Sequence, residues 1–316
     1  MLPGDLMNAE DVARYLHVGK NTVYQLAKSG QLASYHAGRK LRFALEDIEA
    51  YIASTHRVGV ETEVETPAAA DDLACAASLG ELPVTPFVIA GGDVAADMVA
   101  SALNAAGTPA TRLMRNSYAS LVNLYAGDAD AAVVHLYDQR SNSCNVPYVC
   151  NLVPGVSVVV FRLYGREQGL IVREGNPRHL ATWGSLLREG VRISNRQKGS
   201  GARVLLDEKL RAMDAWSESL EGYDRCAPTA STAVKRVASG AADAAIGTSR
   251  EANGVKGVEF VPLQKEWVDL VAVKTPASRP RIRQLKSLLA SEGFRETLGV
   301  LTPCDLSKLG SIAYES

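Results

Sequence analysis

Arg196, Gln197 and Lys198 run directly into Gly199-Ser200-Gly201 in the stretch SNRQKGSGARVLLDEKL, residues 194–210, and Arg203 follows in the first turn of an amphipathic helix pattern. The N–H groups of a first helical turn lack intrahelical partners and carry partial positive charge. Guanidinium, carboxamide, ammonium and hydroxyl donors gathered at such a start suit an oxygen-rich anion that accepts many hydrogen bonds. Three other positions place small or hydroxyl residues between a strand or loop and a helix: Gly91-Gly92-Asp93, Asn116-Ser117-Tyr118 and Thr229-Ala230-Ser231-Thr232. Taken singly, Ser117, Ser200, Ser231 and Thr232 are N-caps of their own helices. Taken as a set, the four starts describe an anion site assembled from two halves.

Other chemistries fit less well. GSGARV lacks the third glycine of a dinucleotide fingerprint, and no GxxxxGK[ST] occurs. Ser200 has no GxSxG context, the five histidines show no HExxH spacing, and no paired carboxylates flank the donors, so no catalytic residues are assigned. Cysteines 75, 144, 150, 226 and 304 are odd in number, widely spread and without CxxC, which predicts reduced thiols and neither a disulfide framework nor a metal site.

The elements that must position these residues follow from charge and periodicity. The 316 residues are 47% hydrophobic and 22% charged, a globular composition long enough for two or three domains. Net charge is −1, so any surface that attracts nucleic acid has to be local. MLPGDLMNAEDV lacks a basic start followed by an apolar stretch, and the longest apolar run, VSVVVF, is too short to span a bilayer. A cytoplasmic protein with no membrane partner is expected.

Val12 to Leu45 holds six bases and no acid, whereas Val58 to Pro83 holds six acids and no base. In the basic part, NAEDVARYL offers Asn8 as N-cap, with Val12, Tyr15 and Leu16 on one face. A short turn, HVGK, leads to a second helix that buries Val23, Leu26 and Ala27 and leaves Thr22, Tyr24, Gln25 and Lys28 free. SYHAGRKLRF alternates around Ala37-Gly38 as a β-hairpin, and LEDIEAYIAS is a third helix.

Helix, tight turn, helix is the helix-turn-helix plan, whose second helix enters the major groove. The segment Leu6 to Ser54, ending in GRKLRFALEDIEAYI, resembles the excisionase and mercury-regulator class of small winged helix-turn-helix domains. On that reading Lys20, Asn21, Thr22, Tyr24, Gln25 and Lys28 approach double-stranded DNA from the second helix, and Arg39, Lys40 and Arg42 form a wing on the phosphates.

From residue 84 onward strands alternate with helices: PFVIAGG, DVAADMVASALNAAG, ATRLMRNS, YASLVNLYAGDAD, AAVVHLY. That order predicts parallel α/β architecture. GDADAAVV at 127 is echoed by GAADAAIG at 240, each ending a helix and starting a strand, which predicts two similar lobes.

HLYDQRSNSCNVPYV, YGREQGLIVREGNP, SNRQKGSGARVLLDEKL and SGAADAAIG, in this order, are similar to the cytoplasmic relatives of type II periplasmic binding proteins that are fused to helix-turn-helix domains and associated with molybdate or tungstate sensing. The resemblance, over about Pro86 to Val273, implies two α/β lobes joined by crossing strands with the ligand in the cleft. Val156 to Phe161 and the strand in Gly169 to Arg173 would lie near the crossover, and Ile193 to Ile246 mainly in the second lobe. It implies a cleft position for His135, within its His-Leu pattern, although a lone histidine equally suits a hydrogen-bonded structural role; Tyr118 either walls the cleft or packs. Two positions depart from the family: Gly91-Gly92-Asp93-Val94 stands where it has Gly-Ser-His-Asp, and Ala202 stands where it has Thr after GSG. Both changes remove donors or hydroxyls. Arg166 and Glu167 are expected to form a hinge ion pair.

The expected organisation is a winged helix-turn-helix domain at 1–56, a linker at 57–83 and a two-lobed domain at 84–316. The expected ligand contacts are Gly92, Asp93, Ser117, Tyr118, His135, Asn195, Arg196, Gln197, Gly199, Ser200, Gly201, Arg203, Thr229 and Ser231. The function that follows is a one-component transcription regulator, a homodimer on a repeated half-site, that senses a small oxyanion, molybdate or tungstate, with no bound cofactor. A sensor of an organic ligand and an excisionase-like architectural DNA binder are the alternatives.

Overall fold

A computed structural model describes residues 6–16, 19–28, 32–37, 40–45, 47–48, 51 and 85–316. The chain divides into two compact units, Met1–Ser78 and Leu79–Ser316. The linker expected at 57–83 lies outside the described residues.

In the first unit, strand β1 (Leu6–Met7) leads to helix α1 (Ala9–Tyr15) and α2 (Lys20–Lys28), then to the hairpin β2 (Tyr35–Ala37) and β3 (Lys40–Ala44). Asn8 starts α1 through a reciprocal capping box with Asp11, its Oδ1 accepting from the N–H of Glu10 at 2.8 Å and of Asp11 at 3.2 Å. Caps of this kind stabilise by about 1 kcal/mol. Val12, Val23, Leu32, Phe43 and Ile48 form a small core. Tyr15, expected on the buried face, is exposed, because Ala9 and Val12 supply the face that α1 buries. Antiparallel pairing of β3 with β1 and β2 gives the three-stranded sheet of a winged domain.

The second unit is organised by two 16-residue strands, β9 (Val158–Arg173) and β12 (Val258–Val273), antiparallel to each other along their whole length. At about 3.3 Å per residue each is roughly 50 Å long, enough to run through two lobes. Their sequences, VVVFRLYGREQGLIVR and VEFVPLQKEWVDLVAV, are apolar toward both ends of β9 and the C-terminal end of β12, and polar in the middle. One end of the pair joins β4 (Phe87–Ala90), β5 (Ala110–Leu113) and β6 (Ala131–Val134), with β13 (Ile312–Glu315) on β9; the other joins β10 (Ile193–Ser194) and β11 (Ala244–Thr248). The result is one eight-stranded mixed sheet, parallel among β4, β5 and β6 and antiparallel through the crossing pair, with β7 (Tyr137–Asp138) and β8 (Ser143–Cys144) paired antiparallel apart from it.

Helices cover each lobe. Helices α3 (Ala95–Ala105), α4 (Ser117–Ala126) and α5 (Val146–Leu152) belong to the first lobe, whereas α6 (Gly201–Ala212), α7 (Ala230–Ala238) and α8 (Ser249–Ala252) belong to the second. The C-terminal helices α9 (Arg279–Leu289) and α10 (Glu292–Gly299) return to the first lobe and pack Leu285, Leu289, Phe294 and Leu298 into its core with Val99 and Leu103. The internal echo has a structural counterpart: Gly127 and Gly240 follow α4 and α7 in the left-handed conformation, and each leads into a buried sheet strand, β6 or β11. Among the described residues no helix is long and apolar enough to cross a membrane.

Candidate functional site

Two helix starts meet between the lobes. In the first lobe Asn116 Oδ1 caps α4 by accepting from the N–H of Ala119 at 2.9 Å. In the second, Ser200 Oγ caps α6 by accepting from the N–H of Arg203 at 3.3 Å. Both caps use a short polar side chain three residues before the donor, a purely local device. Across the crevice the N–H of Tyr118 donates to the carbonyl of Gly199 at 3.0 Å, and Asn116 Nδ2 donates to the carbonyl of Lys198 at 3.3 Å. A Cβ on Gly201 would stand 2.2 Å from Nδ1 and 2.3 Å from the carbonyl oxygen of His135, so this approach is open only to glycine. His135 itself follows β6 and donates its backbone N–H to Ser117 Oγ at 3.2 Å.

Beneath this contact lies a charged network on the crossing strands. Arg166 donates from Nε to Glu266 at 2.6 Å and from Nη1 to Asp93 at 2.8 Å, and Tyr164 donates its hydroxyl to both oxygens of Asp93 at 3.0 Å. Gln168 Nε2 donates to the same Glu266 oxygen at 2.8 Å. Burial opposes ionisation of Glu266, but the Arg166 guanidinium and His135 outweigh it and hold its carboxyl down to about 2. Asp93 follows the same logic: burial raises it, Arg166 and His135 lower it further, and it stays below the ordinary range. Burial and the neighbouring Asp93 carboxylate push the Tyr164 hydroxyl above its ordinary range, so it stays protonated as a donor. The sequence expectation of an Arg166–Glu167 pair is replaced by a triad, because Glu167 points to the other side of the strand while β9–β12 register sets Glu266 opposite Arg166.

Asp93 accepts the N–H of Ala95 at 2.9 Å as well as the bonds from Tyr164 and Arg166. Its carboxylate is thus held by its own helix start and by the hinge arginine.

Five buried polar atoms have no hydrogen-bond partner among the described residues: Ser194 Oγ, Arg196 Nε, Gln168 Oε1, Gln264 Nε2 and His135 Nδ1. The last stands 3.4 Å from Glu266 Oε1, an ion-pair distance without hydrogen-bond alignment. A buried polar group left without any partner costs about 1–3 kcal/mol. Ser194, Asn195 and Arg196 border an internal cavity of about 10 Å³, roughly one water in size.

The model of the PBP superfamily domain matches residues 100–290, and that of a helix-turn-helix domain matches residues 6–56. The chain belongs to the PBP superfamily. It is 33% identical over 309 residues, 97% of each chain, to an uncharacterized protein of Bacillus subtilis, YvgK, which therefore shares both parts. Among solved structures the PBP region is similar to the arginine-, lysine-, histidine-binding protein ArtJ of Geobacillus stearothermophilus, with TM-score 0.50, 12% identity and coverage of 70% of this chain and 96% of that one. It is likewise similar to the GluR0 ligand-binding core in complex with L-glutamate, with TM-score 0.50, 10% identity and coverage of 69% and 98%. At such identity these two likenesses concern the fold.

Within the PBP lobes the residues singled out from sequence fall into distinct groups. Gly92, Asn116, Ser117, Tyr118, His135, Gly199, Ser200 and Gly201 come together at the crevice: a Cβ on Gly92 would stand 2.9 Å from the carbonyl oxygen of Arg115, and one on Gly199 would stand 2.8 Å from Asn116 Oδ1. Arg203 is engaged elsewhere, paired with Asp207 at 3.0 Å and stacked 3.8 Å from the Tyr223 ring. Asn195 holds the N–H of Arg196 and the carbonyl of Tyr223. Gln197 is exposed, and Thr229 caps α7 by accepting from the N–H of Thr232 at 3.1 Å, with Ser231 exposed beside it. Arg196 is partly buried, and desolvation lowers its guanidinium pKa, with Glu251 opposing. Sequence reasoning missed Tyr164, Gln264 and Glu266; the interruption of the apolar strands by GREQ and QKE was the available signal.

In the helix-turn-helix unit Thr22 and Tyr24 are exposed on α2 and Arg42 is half-buried on β3. Lys20 pairs with Glu10 at 2.8 Å. Arg39 lies outside the described residues, as do the side chains of Asn21, Gln25, Lys28 and Lys40.

Proposed function

We propose that the chain is a one-component, DNA-binding transcription regulator whose lobes close on a small oxyanion, molybdate or tungstate, and that it acts as a homodimer. The observation that carries the reading is the meeting of the α4 and α6 starts across the crevice, with Ser194 Oγ and Arg196 Nε unpaired in the α6 lobe. An anion there would draw on N–H groups from both lobes and so favour the closed arrangement. Only such differential affinity shifts a conformational equilibrium. Asp93, already bonded to Arg166, Tyr164 and its own helix start, is turned to the hinge and does not oppose an anion at the helix starts.

A second reading has one specific support. Gln168 Oε1 is a buried acceptor without a donor, next to a network that holds two carboxylates and one arginine. An organic ligand with an amine would satisfy it, whereas a fully ionised oxyanion would not.

Calorimetry on the full chain with molybdate, tungstate, sulfate and a panel of amino acids separates the two. Loss of a charged hydrogen bond costs roughly 1.5–3 kcal/mol, so Arg196→Ala is expected to weaken oxyanion binding about 10- to 150-fold and to leave DNA binding intact. Equal affinity of wild type and variant would make Arg196 structural. Binding of an amino acid and of no oxyanion would select the organic-ligand reading.

A further inference from the structure

We propose that the outer face of α9 is a second contact for the phosphates of duplex DNA, on the PBP unit itself. From Leu270 to Ser291 the chain holds five bases, Lys274, Arg279, Arg281, Arg283 and Lys286, and no acid. Helix α9 sorts them by face. Leu285 and Leu289 are buried in the first-lobe core with Ile282 packed against it, while Arg279, Arg283 and Lys286 are exposed. Arg281 alone turns inward, donating to the carbonyl of Thr85 at 3.0 Å and lying 5.5 Å from the Phe87 ring.

Arg279 and Arg283 are four residues apart, hence neighbours on one helix face. Neither has a hydrogen bond or ion pair among the described residues. Both line an open groove of about 620 Å³ with Lys274, Ser157, Thr275, Pro276, Ile282 and Glu315. The one acid in that lining, Glu315, is already paired with Lys274 at 2.9 Å and is also lowered by the charge of Lys286. The groove therefore presents two uncompensated guanidinium groups on a rigid helix. A structural role would pair them with acids, as Arg281 approaches Asp130. Unpaired arginines one helical turn apart are instead a means of holding phosphates, and the same chain carries a helix-turn-helix unit that tethers it to duplex DNA. The inference rests on DNA binding by that unit.

The test is a salt titration of the full chain on two duplexes of mixed sequence, a short one of about two helical turns and a long one of about twice that length. The double variant Arg279→Gln, Arg283→Gln alters exposed side chains, and unchanged thermal unfolding is the check on folding. Each phosphate contact contributes about 0.9 to the slope of log K against log salt, so the variant is expected to lower the slope by about two on the long duplex and to leave it unchanged on the short one. An unchanged slope on both overturns the inference and leaves this face to an acidic protein. Arg42→Ala on the short duplex is the parallel control: an unchanged slope there removes the wing contact of the helix-turn-helix unit, whereas the α9 contact is judged on the long duplex.

Discussion

Gly201, at the start of α6, faces His135, at the end of β6, so closely that a single added methyl group would lie 2.2 Å from the imidazole and 2.3 Å from the His135 carbonyl oxygen. An imidazole can rotate away, but a backbone carbonyl in a strand-to-loop connection cannot. The pair therefore acts as a gauge of lobe closure. Gly201→Ala is expected to hold the lobes apart, raising the radius of gyration in solution scattering and weakening effector binding by at least an order of magnitude. Its fold should persist, since Ala is the better helix former by about 1 kcal/mol. A variant that matches wild type in scattering and in effector response would show that closure does not depend on this contact.

Glu266 links acid stability to the hinge. Its carboxyl is held down to about 2 from an ordinary 4.5. Between these values the unfolded state binds more protons than the folded one, so stability falls as pH falls. The contribution is complete above about pH 5 and is lost as pH drops toward 2. Trp183, Trp216 and Trp267 all lie in the PBP unit, so tryptophan fluorescence during denaturant unfolding reports on that unit. Glu266→Gln is expected to lower stability near pH 7 by roughly 3 kcal/mol, as for a buried pair left with one partner, and to flatten the acid limb. A variant with the wild-type pH profile would place the acid sensitivity elsewhere.

For the winged domain, Arg42→Ala is expected to weaken binding to all duplex sequences alike and to flatten the salt slope by about one, the signature of a lost phosphate contact. Gln25→Ala is expected to change sequence preference instead, as for a side chain that reaches base edges. Fluorescence anisotropy at two salt concentrations on matched and scrambled duplexes distinguishes these outcomes. Unchanged binding in both variants would discard this docking mode.

What the sequence determined by itself is local in origin. Asn8 and Ser200 were readable as N-caps because a cap joins a side chain to a backbone N–H two or three residues on, whereas the caps of α4 and α7 fall on Asn116 and Thr229 and not on Ser117, Ser231 or Thr232, which stand inside the first turn. The crossing strands were legible only through the family resemblance, which placed Val156 to Phe161 and Gly169 to Arg173 near the crossover as separate stretches of what is largely one strand, β9. The partners of Arg166 were not. Glu167 is its neighbour in the chain, yet side-chain alternation along a strand separates them, and the pairing register of β9 with β12 delivers Glu266 from 100 residues away. The same holds for Arg203. Its place in the first turn of α6 suits an anion, but the fold brings the Tyr223 ring to 3.8 Å and Asp207 lies one helical turn on, so its charge is already satisfied. Local hydrogen bonding writes caps and elements into adjacent residues, whereas the partner of a buried charge depends on which distant strand or loop the packing sets beside it.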